Sequence, residues 1–206
     1  MTRSLILMSG GIDSAVALAW AQRGHQELVA VSFLYHLRPF RERLAVYRLL
    51  ETCPAKLLEI PLPFLRESAD LPEPLTSVPE GYISNRNLVF YSIAGYLAET
   101  HRCDAIVGGH NRGDQEDFPD AASSFFSRLQ ELTNEALLAR KIRIELPLAE
   151  WNKQQVLEHA VQWQVPLQHT WSCYWDRSSP CGTCASCAER SEAFRNAGIA
   201  DPLLQL

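Results

Sequence analysis

Short apolar runs alternate along the chain with longer stretches in which apolar residues recur at helical spacing. The apolar runs predict strands over residues 4–8, 28–33, 56–60, 104–108 and 142–146. The stretches between them predict helices over residues 13–23, 41–51, 85–100, 121–140 and 152–164, and a short helix over 186–196. This alternation is typical of an α/β fold in which a parallel sheet has helices on both faces.

Residues 61–82 interrupt the alternation. Prolines at positions 61, 63, 72, 74 and 79 exclude a continuous helix or a central strand in this stretch. An irregular stretch of this length is typical of a functional lid or a disordered connection. The rest of the pattern predicts a main domain over residues 1–165 and a small cysteine-rich segment over residues 166–206.

The first predicted strand ends in the turn Ser9-Gly10-Gly11, and a helix follows at once. A helix N-terminus offers free backbone N–H groups and the positive end of the helix dipole, so the turn predicts a nucleotide polyphosphate site. The glycines let a phosphate approach the backbone, and the hydroxyl groups of Ser9 and Ser14 add donors. Asp13 either caps the helix or holds Mg²⁺. The spacing differs from both the Rossmann fingerprint and the Walker motif.

Composition and charge narrow the classes of function. The 206 residues carry a formal net charge of −5 and have a pI of about 5.7, a balance that argues against a broad nucleic-acid-binding surface. No apolar run is long enough to span a bilayer. The N-terminal residues lack the long apolar stretch and the cleavage site of a secretory signal. We therefore expect a cytoplasmic protein with no membrane partner.

Four of the six cysteines lie in the last quarter of the chain. Cys173, Cys181, Cys184 and Cys187 have the spacing Cys-x7-Cys-x2-Cys-x2-Cys, which allows four thiolates to surround one ion. In a cytosolic chain this clustering favours a metal site over a disulfide framework. A closed set of four thiolates predicts a structural Zn²⁺ ion, with an iron–sulfur cluster and a redox dithiol as the alternatives.

Both ends of the chain resemble the same family. The segment from Ser9 to Ser14 resembles the PP-loop of the ATP pyrophosphatases. The tail, with Thr-Trp-Ser-Cys-Tyr at 170–174 and Pro-Cys-Gly-Thr-Cys-Ala-Ser-Cys at 180–187, resembles the C-terminus of the 7-cyano-7-deazaguanine synthases, or QueC-like proteins. Residues 86–90, 104–108, 118–120 and 146–148, and Lys153, resemble further motifs of that family.

The resemblance implies an ATP-dependent C–N ligase of queuosine biosynthesis with a PP-loop fold. In that family ATP adenylylates the carboxylate of 7-carboxy-7-deazaguanine, and ammonia displaces AMP to give an amide. A second adenylylation then allows elimination to the nitrile, with AMP or ADP-type products and pyrophosphate or phosphate released. The resemblance implies ATP binding by Met8, Ser9, Gly10, Gly11, Ile12, Asp13, Ser14, Ala15, Val16, Ala17 and Leu18.

The motif matches and the strand ends nominate the residues that would carry this chemistry. The catalytic candidates are Asp13, Ser14, Arg86 and Lys153, because cations neutralise phosphate and carboxylate charge. The candidates for substrate binding are Tyr35, His36, Arg38, Arg86, Asn87, His110, Asn111 and Asp120. Structural roles are the alternatives: a solvated lysine at 153, for example, or a helix cap at Asp120.

Two stretches depart from the family pattern. After the second strand the family typically has Tyr-Gly-Gln-Arg/Lys-His, where residues 35–39 of this chain are Tyr-His-Leu-Arg-Pro. After Phe118-Pro119-Asp120 the family typically has Cys, where this chain has Ala121. Both stretches are expected near the ligand pocket. They favour, as an alternative, a relative that activates a deazaguanine carboxylate and joins it to another amine, on a protein or peptide for instance, and stops at the amide.

Two other classes of function remain as alternatives. One is a zinc-knuckle nucleic-acid-binding protein with a vestigial ATP site, which the acidic balance disfavours. The other is a tRNA-modifying or NAD-synthetase-like PP-loop enzyme, which the four-cysteine tail disfavours. We expect the partners to be a small-molecule carboxylate and ammonia or another amine, and we carry a homodimer as a hypothesis.

Overall fold

The computed structural model describes residues 2–205 and contains five parallel strands in the order β3-β2-β1-β4-β5. The strands are β1 (Arg3–Leu7), β2 (Glu27–Tyr35), β3 (Lys56–Leu62), β4 (Ala105–Val107) and β5 (Arg143–Glu145). The chain proceeds outward from β1 to β3 and then returns to the other side of β1 to form β4. This reversal between β1 and β4 is a topological switch point, where the carboxyl ends of parallel strands leave a crevice for a ligand.

Seven helices connect or follow the strands in the described part of the chain. They are α1 (Ile12–Gly24), α2 (Phe40–Thr52), α3 (Arg86–Thr100), α4 (Arg112–Asp117), α5 (Ser123–Ala136), α6 (Lys153–Gln162) and α7 (Ala185–Asn196). Short 3-10 turns occupy Ser68–Asp70, Pro119–Ala121, Leu167–His169 and Pro202–Gln205. The prediction of a parallel α/β sheet is therefore confirmed.

The buried apolar residues form two layers, one on each face of the sheet. Ile6 of β1 packs with Val16 of α1 and Val156 of α6 on one face. Leu5 of β1 packs with Tyr91 of α3 and Phe126 of α5 on the other face. Successive side chains of a strand point to opposite faces, so neighbouring residues of β1 serve both layers. Helices therefore cover both faces, as the sequence pattern predicts.

The predicted helix over residues 121–140 is wrong in its bounds. The helix spans Ser123–Ala136, and the preceding helix α4, Arg112–Asp117, was not predicted. α5 ends early because Leu137 is extended and the side chain of Asn134 exchanges two hydrogen bonds with the backbone of Ile142, at 2.8 and 2.9 Å. The sequence of α4 shows no apolar residues at helical spacing, because none of its residues is buried. A capping box between Asn111 and Asp114 holds it instead.

The proline-rich stretch is irregular but locally bonded. β3 continues through Pro61. Proline has no backbone N–H, and an edge strand tolerates it because one side of that strand forms no ladder hydrogen bonds. Beyond it, Ser68 accepts a hydrogen bond from the Leu75 backbone at 2.8 Å and donates its own backbone N–H to Tyr82 at 2.8 Å. Within residues 2–205, no helix is long and apolar enough to cross a membrane. The division at residue 165 stays a prediction.

Candidate active site

Residues 8–11 connect β1 to α1 and form a tight loop against α2. Gly10 has φ +94°, in the left-handed region, and a Cβ built there would lie 2.4 Å from the backbone oxygen of Glu42. Both the conformation and the close approach of α2 therefore require glycine. Gly11 has no such backbone neighbour, and its own carbonyl begins α1 by accepting from the Ala15 N–H at 3.1 Å.

The serines of the loop bind its own backbone. The hydroxyl of Ser14 donates to the Gly11 carbonyl at 2.9 Å and accepts from the Gly10 N–H at 3.2 Å. Ser9 accepts from the Gly11 N–H at 3.2 Å. No side chain caps α1 at Gly11, so the first N–H groups of this helix are donors for an anion.

The side chain of Asp13 joins the start of α1 to α6 and to Asn111, the residue that caps α4. Its carboxylate accepts a hydrogen bond from Lys153 of α6, at 2.7 Å, and one from the Asn111 side chain, at 3.2 Å. Lys153 also lies 3.4 Å from Glu189 of α7. Burial opposes the charge of the Lys153 ammonium, but the carboxylates of Asp13 and Glu189 outweigh burial and raise its pKa above the ordinary value.

Asp114 of α4 is a further carboxylate beside this group, and it is half-buried. Burial, with the nearby charge of Asp13, raises the pKa of Asp114 to about 6, while the Asn111 backbone N–H and Lys153 oppose the rise. The native state therefore holds this proton more tightly than the unfolded chain. Ionising Asp114 is therefore unfavourable in the native state, and the free energy of unfolding decreases as the pH rises from about 4 through about 6.

We expect Asp114→Asn to raise the thermal midpoint of the protein by a few degrees at pH 7.5 and to leave it unchanged near pH 4. The reason is that asparagine stays neutral and still accepts the capping hydrogen bond. Thermal unfolding at the two pH values measures the difference. Glu116→Gln, an exposed residue on the same helix, is the matched control and should shift neither midpoint. An equal shift of the thermal midpoint at both pH values would contradict the raised pKa of Asp114.

Arg38 fixes the loop from the β2 side. Its guanidinium donates to the backbone oxygens of Ser9, at 2.5 Å, and Phe33, at 2.6 Å, and to the Ser32 hydroxyl at 2.8 Å. Its Nε donates to Glu42 at 3.1 Å. Burial raises the pKa of Glu42, and the charge of Arg38 opposes that rise. The donors of Arg38 are thus largely taken by the protein, which favours a positioning role over direct substrate contact.

A cavity of about 520 Å³ opens over the loop at the carboxyl ends of the strands. One wall is aromatic: the rings of Phe33 and Phe90 stack with centroids 4.2 Å apart, and Tyr35 tilts against Phe90 at 6.3 Å. His110 lies on the opposite side, where burial and the charge of Arg86 lower its pKa to about 4. His110 is therefore neutral at physiological pH.

The cavity brings together most, but not all, of the residues nominated from the sequence. Those that line it are Met8, Ser9, Gly11, Ile12, Asp13, Ser14, Tyr35, Arg38, Arg86, Asn87, His110 and Lys153. Those that do not line it are Gly10, Ala15, Val16, Ala17, Leu18, His36, Asn111 and Asp120. The hydrophobic residues of this second set are buried in α1, which is covered around most of its circumference.

The polar residues outside the cavity have structural contacts instead. Asp120 accepts from the backbone N–H of Asn87 at 3.0 Å, and its carbonyl accepts from the Asn87 side chain, so it supports the start of α3. His36 lies 3.1 Å from the guanidinium of Arg66 on the surface. Asn111 orients Asp13 and caps α4, and it therefore acts on the site from outside the cavity.

Six acidic residues that line the cavity are not predicted from the sequence: Glu42, Glu67, Glu80, Asp114, Asp117 and Glu189. The Asn-x-x-Asp spacing of Asn111 and Asp114 is a capping-box signal that was available in the sequence. Glu189 had no such signal, because it reaches the cavity only through the packing of α7 on α6.

The four cysteines of the tail converge as their spacing predicts. Their Sγ atoms all lie within 4.8 Å of one another, and those of Cys181 and Cys187 are 3.9 Å apart. Thiolates bound to one tetrahedral zinc at about 2.3 Å lie about 3.8 Å apart, so the donor set fits such an ion. Backbone N–H groups of Thr183 and Cys184 donate to the Cys181 sulfur at 3.4 and 3.3 Å. None of the six cysteines is in a disulfide.

The cysteine segment is bonded to the loop at residues 8–11. The backbone N–H of Trp171 donates to the Gly10 carbonyl at 2.9 Å. Arg190, which is buried, donates to Asp201 at 2.6 and 2.8 Å and to the Thr170 hydroxyl at 2.9 Å. A metal held by the cysteines would therefore order one wall of the cavity as well as the tail.

Gly10→Ala is expected to lower the free energy of unfolding by about 2–4 kcal/mol, because the new Cβ combines left-handed strain with a clash against α2. Gly24→Ala is the matched control, since a Cβ there meets nothing within 4 Å. We expect that control to change stability by less than about 1 kcal/mol. Urea denaturation measures both, and equal effects would contradict the tight approach of α2 to the loop.

Comparison with known proteins agrees with this geometry. Residues 3–198 match the family model described as queuosine biosynthesis protein QueC. A 7-cyano-7-deazaguanine synthase from Sulfurovum sp. (strain NBC37-1) is 32% identical and covers 98% of this chain and 97% of its own. Another from Parasynechococcus marenigrum (strain WH8102) is 34% identical and covers 96% and 95%.

Solved structures show the fold alone. An NMN synthetase from Francisella tularensis superposes with a TM-score of 0.55 at 16% identity, covering 96% of this chain and 77% of its own. The U34-tRNA thiolase NcsA from Methanococcus maripaludis, with its [4Fe-4S] cluster, gives a TM-score of 0.53 at 17% identity, covering 95% of this chain and 64% of its own.

The two relatives from Sulfurovum and Parasynechococcus are named synthases, which confirms the prediction of a ligase-type enzyme family. Matched over nearly its whole length, the chain belongs to the QueC family of queuosine biosynthesis proteins.

Proposed function

We propose that this protein is an ATP-dependent ligase that adenylylates the carboxylate of 7-carboxy-7-deazaguanine and, with ammonia, forms 7-cyano-7-deazaguanine. The observation that carries the proposal is one cavity with a phosphate loop and the Asp13–Lys153 pair, and with Arg86 in its lining. The name of the relatives supports the substrate and product.

The loop is the proposed site of the ATP phosphates. The first N–H groups of α1 would donate to them, and Lys153 would neutralise their charge. Asp13 and Asp114 are the carboxylates that would hold Mg²⁺, a cation that prefers oxygen ligands. Bound there, Mg²⁺ would stabilise the negative charge that develops on the phosphates as the bond to the α-phosphorus changes.

Arg86 is the proposed partner of the substrate carboxylate. It begins α3, lines the cavity and, within residues 2–205, makes no ion pair. A guanidinium free of carboxylate partners is suited to a bidentate contact with a bound acid. The aromatic wall of Phe33, Phe90 and Tyr35 would stack against a flat bicyclic base.

The proposed reaction proceeds in two activations. A carboxylate oxygen attacks the α-phosphorus of ATP and pyrophosphate leaves; ammonia then attacks the acyl carbon, AMP leaves with that oxygen, and one proton is released. The amide oxygen then attacks the α-phosphorus of a second ATP and a second pyrophosphate leaves; loss of AMP, which takes that oxygen, and of the two remaining N–H protons gives the nitrile. No cysteine lines the cavity in the described chain. The amine therefore attacks the acyl adenylate without a thioester on the protein.

The amide-forming alternative rests on the departures near the rim of the cavity. Pro39 lines the cavity, whereas His36 and Leu37 do not, and Leu37 is 70% exposed. Ala121 is buried and also outside the lining. Tyr35 and Arg38, the residues of this stretch that match the family motif, do line the cavity. This distribution favours an unchanged pocket for the base and leaves the rim for a different amine.

Product analysis separates these functions. The protein is incubated with ATP, Mg²⁺, ammonium and 7-carboxy-7-deazaguanine, and the products are followed by mass spectrometry, with Ser14→Ala as the inactive control. The proposal predicts the nitrile and AMP. An amide that goes no further, or an adenylylated acid that awaits another amine, would support the alternative. No AMP with any deazaguanine acid would contradict both.

We also propose that residues 166–206 form a segment stabilised by one structural Zn²⁺ ion. The close set of four sulfurs supports this assignment. Elemental analysis of the purified protein tests it: one zinc per chain is expected, and iron with acid-labile sulfide would favour a cluster instead.

A further inference from the structure

A second cavity lies behind the wall of the first. It measures about 270 Å³, opens to the surface and is bordered by α2, the turn before Trp171 and the loop at Ser178 and Ser179. Trp171 is the single residue that lines both cavities. This second cavity is therefore separate from the proposed nucleotide site.

The lining of the second cavity is cationic. Arg41 and Arg48 of α2 and His169 line it, together with the hydroxyl-bearing Ser178 and Ser179, and among residues 2–205 no carboxylate side chain lines it. This concentration of positive charge occurs in a chain whose formal net charge is −5. One acidic side chain lies nearby: the carboxylate of Asp176 accepts a hydrogen bond from the Arg41 backbone N–H, but Asp176 does not line the cavity.

The cationic groups of this cavity lack protein partners. Arg43, on the same helix, is paired with Glu59 at 2.7 Å, whereas neither Arg41 nor Arg48 forms an ion pair within residues 2–205. The Nδ1 atom of His169 is buried and has no hydrogen-bond partner there. Buried polar atoms are rarely left unbonded, so His169 is a further polar group here whose hydrogen bonding the protein does not satisfy.

We propose that this second cavity binds a phosphate-bearing anion. Two guanidinium groups can each hold two phosphate oxygens, and the imidazole and the two hydroxyls complete the donor set. Its size suits inorganic phosphate, pyrophosphate or one phosphoryl group of a larger molecule. The Arg41 guanidinium also lies 5.9 Å from the Trp171 ring, and Trp171 bonds to Gly10. An anion here would therefore fix the wall that supports the phosphate loop.

Calorimetry with pyrophosphate tests the proposal directly. The titration is made on the metal-loaded protein with Mg²⁺ and saturating α,β-methylene-ATP, so that the larger cavity is blocked. One equivalent of pyrophosphate should still bind. In the Arg41→Gln/Arg48→Gln double variant its affinity should fall about 30-fold or more, because two charge-assisted contacts are lost. Arg43→Gln, which removes the same charge from α2 outside the cavity, should change it less than about twofold.

The outcomes are decisive in both directions. No residual binding in the presence of the analogue, or equal affinity in the double variant and the wild type, would overturn the proposal. Circular dichroism and thermal unfolding show whether the variants are folded, and we expect them to be because Arg41 is half-buried and Arg48 is exposed. Competition by a short single-stranded RNA would identify a nucleic-acid backbone as the source of the phosphate; its failure would identify a free anion.

Discussion

Replacing Lys153 with glutamine is expected to lower kcat/KM for ATP by about 10²–10³-fold while leaving the fold and the metal content intact. Lys153 lies 2.7 Å from Asp13 at the start of α1 and lines the cavity over the loop. In our account it neutralises the phosphate charge that grows as pyrophosphate leaves, and glutamine provides no charge. Steady-state release of pyrophosphate with the acid substrate measures the effect.

Lys56→Gln is the matched control for this variant. Lys56 is exposed at the start of β3, and the same change of charge there should alter kcat/KM by less than about twofold. If Lys153→Gln keeps activity within about threefold of the wild type, its ion pair with Asp13 is structural and the assignment is wrong.

Cys184→Ser is expected to release the bound metal and to lower the thermal midpoint by about 10–20 °C. Cys184 is buried, immediately precedes α7 and lies in the cluster of four sulfurs. Losing the metal should free the segment that carries Trp171 and Glu189, so ATP-dependent activity should fall as well. Metal analysis, thermal unfolding and pyrophosphate release together measure the three effects.

Cys53→Ser separates the metal from a general effect of losing a thiol. Cys53 is half-buried at the end of α2 and lies outside the cluster. That control should keep one equivalent of metal and shift the midpoint by no more than a few degrees. Full metal content in Cys184→Ser would contradict the four-cysteine assignment.

The strand-turn-helix at the N-terminus could be predicted because local signals suffice for it. An apolar run, two glycines and a helical stretch specify β1, the loop and α1 without knowledge of the rest of the chain. The cysteine spacing was equally informative, because the two Cys-x-x-Cys turns bring their sulfurs together locally.

Other features depend on contacts that no local pattern contains. Helix α4 has no buried residue, so it lacks the apolar periodicity by which helices are recognised. Arg38 was nominated as a substrate residue, yet its donors are largely taken by Ser9, Ser32 and Phe33, a geometry set by tertiary packing. The basic cavity behind Trp171 combines α2 with residues 168–180, which are remote in sequence.

Transfer of ¹⁸O from a labelled substrate carboxylate shows whether that carboxylate attacks the α-phosphorus of ATP. The protein is incubated with ATP, Mg²⁺, ammonium and 7-carboxy-7-deazaguanine labelled in both carboxylate oxygens, and the nucleotide product is examined by mass spectrometry. If the carboxylate and then the amide are adenylylated at the phosphate loop, each of the two AMP molecules formed should carry one ¹⁸O atom. Unlabelled AMP, or ADP together with labelled phosphate, would contradict attack on the α-phosphorus and with it the account of this site.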